Sequence, residues 1–178
     1  MSISRTDRMQ NIGTIAALVI SIIALFTSIY EANIMESQQK AMVWPYFKLQ
    51  PAYNSEGFRL VASNKGTGPA LIRSLEVSYK GKAMSSLDEL LDAIKPDRTI
   101  GYEVIKVSEV NNNVFQNGES TIVLFLPWSD EVRQIVDKFN DVNVKVCYES
   151  VLGESWTYDM RADKHTEEKF RARVEYDN

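Results

Sequence analysis

The sequence predicts a mainly β protein: one N-terminal transmembrane helix followed by a β-domain that carries two short helical insertions. Three observations predict it. Residues 11–30, NIGTIAALVISIIALFTSIY, hold no charged side chain between Arg8 and Glu31, and a helix of that length crosses a hydrocarbon layer of ~30 Å. From Tyr46 onward apolar side chains recur with period two, the spacing that puts them on one face of a strand. Gly, Asn and Pro clusters separate these runs as turns. A chain of 178 residues, 44% of them hydrophobic, suffices for one domain with a real core and little more.

The organisation that follows is an N-terminal tail (1–10), a transmembrane helix (11–30), a helical stalk (31–43) and a β-domain (44–178). A cleaved signal peptide competes for the apolar run, but its apolar core would be shorter, and Tyr30-Glu31-Ala32 is a poor small-x-small cleavage site. A buried core helix is the other alternative, and Arg5 and Arg8 before the run with polar ESQQK after it weigh against it. The segment is therefore an uncleaved signal anchor. Arg5 and Arg8 precede the span, whereas the nearest positive residue after it is Lys40, which favours the N-terminus inside and the C-terminal domain outside.

Within the span Gly13, Ala17, Ser21, Ala24 and Ser28 fall inside an arc of about 80° at ~100° per residue, with Ile15, Leu18, Ile22, Leu25 and Phe26 elsewhere on the helix. Helices in lipid associate through such small-residue rows, because close backbone approach replaces the missing hydrophobic drive. Chance is the competing explanation, since small residues are common in these helices; we favour a packing face for another membrane protein or a second copy of the chain. Residues 31–42 contain good helix formers and neither Gly nor Pro, so the helix continues as a stalk until Pro45. Trp44 and Tyr46 are expected as the first core residues of the domain, with a place at the lipid headgroups as the alternative.

In the β-domain Leu75, Val77 and Tyr79 alternate with Glu76, Ser78 and Lys80. Val142, Val144, Val146 and Tyr148 do the same, and after a turn at Gly153 so do Trp156, Tyr158, Met160 and Ala162, predicting a hairpin. TIVLFL (121–126) is apolar on both faces and suits a central strand; KFRARVEY (169–176) suits a closing edge strand, and GFRLVAS and YEVIKVS are further strands. One helix is predicted over 86–94, with Ser86 and Glu89 in capping-box spacing and a stop before Pro96. A second is predicted over 129–139, with Val132, Ile135, Val136 and Phe139 on one face and Asp130 and Glu131 in its first turn.

NKGTGPA (64–70) has the glycines and lysine of a phosphate loop. Such a loop must lead from a strand into a helix whose N-terminal amides meet the anion. Here Pro69 removes a donor and a strand follows, so Asn64, Gly66, Gly68 and Pro69 are assigned a structural turn in which the glycines supply positive φ. QNGES (116–120) is a second turn.

No chemistry-bearing constellation accompanies these elements. The formal charge of −4 and scattered basic residues argue against nucleic acid. Cys147 is the one cysteine and His165 the one histidine; the first is expected as an inert, partly buried thiol and the second as a solvated loop side chain in the charged stretch RADKHTEEK. Glu149 and Glu154 flank the hairpin turn but make an incomplete site for a hard cation. No enzyme activity, catalytic residue, metal or cofactor is assigned.

FRLVASNKGTGPALIRSLEVSY with the later NGESTIVLFL resembles bacterial immunoglobulin-like sandwich domains, in which an N-x-G-x-x-P-A turn joins two strands. WPYFKL, NKGTGPALI and VCYESVLGESW in this order, behind one N-terminal span, resemble a group of small bacterial membrane-anchored proteins of unknown function. The resemblance implies an Ig-like β-sandwich and a bacterial inner-membrane location, with the domain periplasmic or extracellular. In that group further cysteines stand where this chain has Glu149 and Ser155, so the hairpin disulfide that the resemblance implies is absent here. The function expected is a membrane-anchored protein-interaction or scaffolding module in contact with membrane lipid, a subunit of a bacterial membrane complex. The alternative is a ligand-sensing β-domain that signals through its transmembrane helix.

Overall fold

The computed structural model describes residues 5–94, 103–104, 110 and 112–168. The chain divides into two compact units, Met1–Ala41 and Met42–Asn178. Helix α1 (Arg5–Met42, 38 residues) makes the first and ends on the opening residue of the second. Its stretch Met9–Met42 is long and apolar enough to cross a membrane. Ile12, Ile15, Leu18, Ile23 and Leu25 are all exposed along it, as side chains are that meet lipid instead of a protein core. The hydroxyls of Thr14, Ser21 and Thr27 bond back to carbonyls four residues earlier, at 3.0, 2.8 and 3.0 Å. These polar groups can therefore enter an apolar solvent already satisfied.

The second unit is built of antiparallel strands: β1 (Phe47–Tyr53), β2 (Gly57–Asn64), β3 (Ala70–Tyr79), β4 (Lys82–Met84), β5 (Glu103–Val104), β6 (Val114–Phe115), β7 (Ser120–Pro127), β8 (Val142–Glu149), β9 (Ser155–Asp159) and β10 (Lys164–Glu168). Among the described residues they form two sheets, ordered β1-β2-β7-β5 and β10-β9-β8-β3-β4, with β6 paired to the start of β3. Phe47, Phe58 and Leu124 from the first sheet and Ile72, Val144 and Tyr148 from the second belong to one buried cluster. The TIVLFL run owes its double-sided apolarity to a bulge: Leu60 pairs with Leu124 but Val61 with Ile122, leaving Val123 as the extra residue. Val123 and Leu124 are consequently both buried, which a regular strand does not allow on one face. Of YEVIKVS the structure describes Glu103–Val104; KFRARVEY lies outside the described residues.

Among the described residues strand β1 is an edge, and its outer side is guarded. The Tyr158 hydroxyl donates to Leu49 O at 3.2 Å, so by strand alternation the backbone groups of residues 47, 49, 51 and 53 face away from β2. Pro51 stands at one of these outward positions and offers no amide to a foreign strand. The capping geometry of helix α2 (Leu87–Ile94) differs from the expected box by one residue. Glu89 N donates to Ser86 Oγ at 3.1 Å, while the Glu89 carboxylate turns to Ser85, accepting from its amide at 2.6 Å and its hydroxyl at 2.7 Å. Helix α3 (Asp130–Val136) starts at Ser129, whose Oγ accepts from Val132 N at 3.1 Å. It passes into a 3-10 turn, Asp137–Asp141.

Candidate functional site

Gly13, Ala17, Ser21, Ala24 and Ser28 lie on α1 and are exposed. Around Gly13 an added Cβ would meet nothing within 4 Å. The Ser21 hydroxyl is held by Ala17 O, so at that position the face offers a neighbour shape rather than a free donor.

The NKGTGPA turn and residues 43–46 form one knot at the end of the domain where its chain begins. Asn64 is 1% exposed and its carboxamide makes four bonds. Oδ1 accepts from Tyr46 N (3.1 Å) and Gly66 N (3.0 Å); Nδ2 donates to Gly68 O (2.8 Å) and Phe115 O (2.9 Å). Lys65 N bonds Tyr46 O at 2.8 Å, and Thr67 N and Gly68 N bond Trp44 O at 2.8 and 3.2 Å. The amides of residues 65–68 are thus consumed within the protein, and none remains to cradle a phosphate. The QNGES turn joins the knot: Gly118 N bonds Asn64 O at 3.0 Å, and Asn117 Nδ2 reaches Thr67 O at 3.3 Å.

Two expectations change at this knot. Among the described residues the positive-φ glycines are Gly81, Gly118 and Gly153; Gly66 and Gly68 are not among them. Their requirement is space, since a Cβ at Gly66 would fall far inside contact with Trp44 O and Tyr46 N, and one at Gly68 with the Val43 backbone. The core also begins later than expected, at Phe47, which is fully buried, while Trp44 is 44% exposed. The Trp44 ring leans on Tyr46 at 5.3 Å.

His165 is not a solvated loop residue. It sits in β10 opposite Tyr158, with ring centroids of Tyr46 at 4.3 Å and Tyr158 at 4.8 Å. The Tyr148 hydroxyl, whose pKa burial raises above its ordinary range, lies 2.9 Å from His165 Nδ1. His165 Nε2 is buried and without a partner among the described residues. Lys48 closes the cluster, paired to Asp163 at 2.9 Å, and the Tyr158 hydroxyl lies 3.1 Å from the same carboxylate. Desolvation, then repulsion from Lys48, pulls His165 below its usual 6.5, with Asp163 opposing. A histidine depressed in the folded state costs nothing while both states are neutral, and it costs stability once the unfolded chain binds the proton first. The melting temperature should therefore hold steady above about pH 7.5 and decline as pH falls through 6.5 toward 5, with a linkage slope below one proton. His165→Phe should flatten that interval, because the chain has no other histidine. An unchanged slope in the variant would refute the assignment.

Glu149, one of the two hairpin carboxylates, is committed to Arg73 at 2.7 Å, and it faces Ser155 across the β8–β9 hairpin. Cys147 is partly buried, and burial pushes its thiol up, consistent with an inert side chain. Among the described residues no group of three metal-ligating side chains converges. An apolar cleft of about 140 Å³ lies between the sheets. Phe58, Leu60, Leu124 and Val144 line its depth and are buried. Nothing in the sequence signalled it, because its walls come from strands far apart along the chain.

A family model described as "Domain of unknown function (DUF8453)" matches residues 12–178. No curated protein and no solved structure matches the chain.

Proposed function

The chain belongs to the DUF8453 family, and from that premise we propose that it is a membrane-anchored interaction or scaffolding module. In this reading α1 is a single-pass span of a bacterial inner membrane with the N-terminus inside. The second unit is an Ig-like β-sandwich on the outer side, and the partner is another membrane protein or a second copy of the chain. The observation that carries the reading is the exposed face of Gly13, Ala17, Ser21, Ala24 and Ser28 on a helix whose Thr14, Ser21 and Thr27 hydroxyls are already satisfied. Such a face rewards close approach of a second helix by dispersion.

Crosslinking of the full chain in its native membranes tests this. Replacing Ala17 and Ser21 together with Leu fills the face without reducing hydrophobicity, so insertion should survive while the crosslinked fraction falls at least about fivefold. Leu18→Ala with Leu25→Ala, off the small-residue face, is the control. Crosslinks that persist in the first variant, or equal loss in the control, would reduce α1 to an anchor. Protease added to intact spheroplasts in the same experiment should remove the β-domain; cleavage only after lysis would reverse the orientation.

A further inference from the structure

We propose that the cleft between the two sheets is a binding site for a small aromatic amine. The cleft is walled by β1, β2 and β7 from one sheet and β8 from the other, and is closed by α2 and the 3-10 turn after α3. Its depth is dry in character: Leu60, Leu90, Leu124 and Val144 are all at most 5% exposed and present only hydrocarbon. Two aromatic rings give it shape, with Phe58 and Phe139 centroids 4.7 Å apart.

Size and charge narrow the occupant. A space of about 140 Å³ is close to the ~150 Å³ apolar cavity known to take up benzene in another protein, so the occupant's body is one ring with a short side chain. Natural cores rarely leave such a space in a domain this small, since filling it with larger side chains stabilises the fold. The lining residues that are exposed, Pro51, Tyr53, Asp137 and Asn140, mark the mouth. Asp137 places a carboxylate there, and it has no ion-pair partner among the described residues. Its neighbour Lys138 is turned away, donating to Ile94 O at 3.0 Å. A carboxylate at the mouth of an aromatic-lined cleft repels anionic ligands and favours an ammonium group on an apolar ring. The site is independent of helix association, so the outcome of the crosslinking experiment leaves it untouched.

The test uses the full chain in lipid nanodiscs, with methyl NMR signals of Leu60, Leu124, Val144 and Met160 as reporters and 2-phenylethylamine as the probe. Saturable shifts confined to these methyls are expected, with phenylacetate binding about two- to fivefold more weakly, the factor that one exposed charge pair supplies. Asp137→Asn, an exposed substitution that leaves the core intact, should erase the difference between the two probes. Val144→Phe should abolish binding of both by filling the cleft. Absence of saturable shifts, shifts spread equally over the methyls of α1, or an amine preference that survives Asp137→Asn would each overturn the proposal. Should Val144→Phe fail to fold, Asp137→Asn still decides the amine assignment, and saturation confined to the cleft methyls decides the site.

Discussion

Asn64→Ala is expected to destabilise the β-domain by about 4 kcal/mol, a large part of the 5–15 kcal/mol that holds a domain of this size. The carboxamide bonds the amides of Tyr46 and Gly66 and the carbonyls of Gly68 and Phe115. Truncation orphans all four inside a knot where Asn64 itself is 1% exposed. An unmet buried donor costs about 1 to 3 kcal/mol, whereas each bond contributed less than that in net terms. Asn64→Asp separates shape from chemistry: it keeps an acceptor for the two amides but sets an oxygen against two carbonyls and buries a charge. It should be as damaging as alanine at neutral pH and recover partly in acid, when the carboxyl gains a proton to donate. Urea unfolding of the full chain in detergent, followed by tryptophan fluorescence, measures both. A cost below about 1 kcal/mol for the alanine variant would mean that water replaces the carboxamide and that the knot is not organised by it.

How much of this was legible in the sequence depended on whether the cause was local. The uncharged run of α1 and the alternation of Val142, Val144, Val146 and Tyr148 are visible because burial there follows the period of the element, and those four side chains are buried in β8. Ser86 and Ser129 were readable as helix starts for the same reason, although the Glu89 carboxylate chose Ser85 over its expected partner. The Tyr46–His165–Tyr158 stack was not readable. Lys164–Glu168 is a charged strand with almost no apolar content, and His165 is sheltered because Tyr46, just before β1, and Tyr158 of β9 stand against it. The cleft beside Asp137 has the same character, since no window of sequence contains both sheets. Trp44 was misplaced in the core because an aromatic beside a strand start carries the same local signal whether it points inward or outward.

The glycines of NKGTGPA show where a correct element rested on an incorrect cause, and the causes make opposite predictions. Were positive φ the reason for Gly66 and Gly68, alanine would cost about 1 kcal/mol at either position. Close approach demands more. The bonds from Lys65 N to Tyr46 O and from Thr67 N to Trp44 O hold residues 65–68 against residues 43–46 at 2.8 Å each, and a Cβ at Gly66 or Gly68 falls on that facing backbone. Backbone cannot rotate aside as a side chain can, so the methyl enters only if the strand-entry segment moves and those bonds break. Gly66→Ala and Gly68→Ala should each cost about 3 kcal/mol or more, with the double variant less than additive because both displace the same segment. Gly118 is the internal reference: its φ is 76° and a Cβ there meets nothing within 4 Å, so Gly118→Ala should cost about 1 kcal/mol from conformation alone. The same urea titration ranks the three. If Gly66→Ala and Gly68→Ala fall no lower than Gly118→Ala, the facing backbone yields easily and residues 43–46 are a loose leader to the domain, not its fixed first turn.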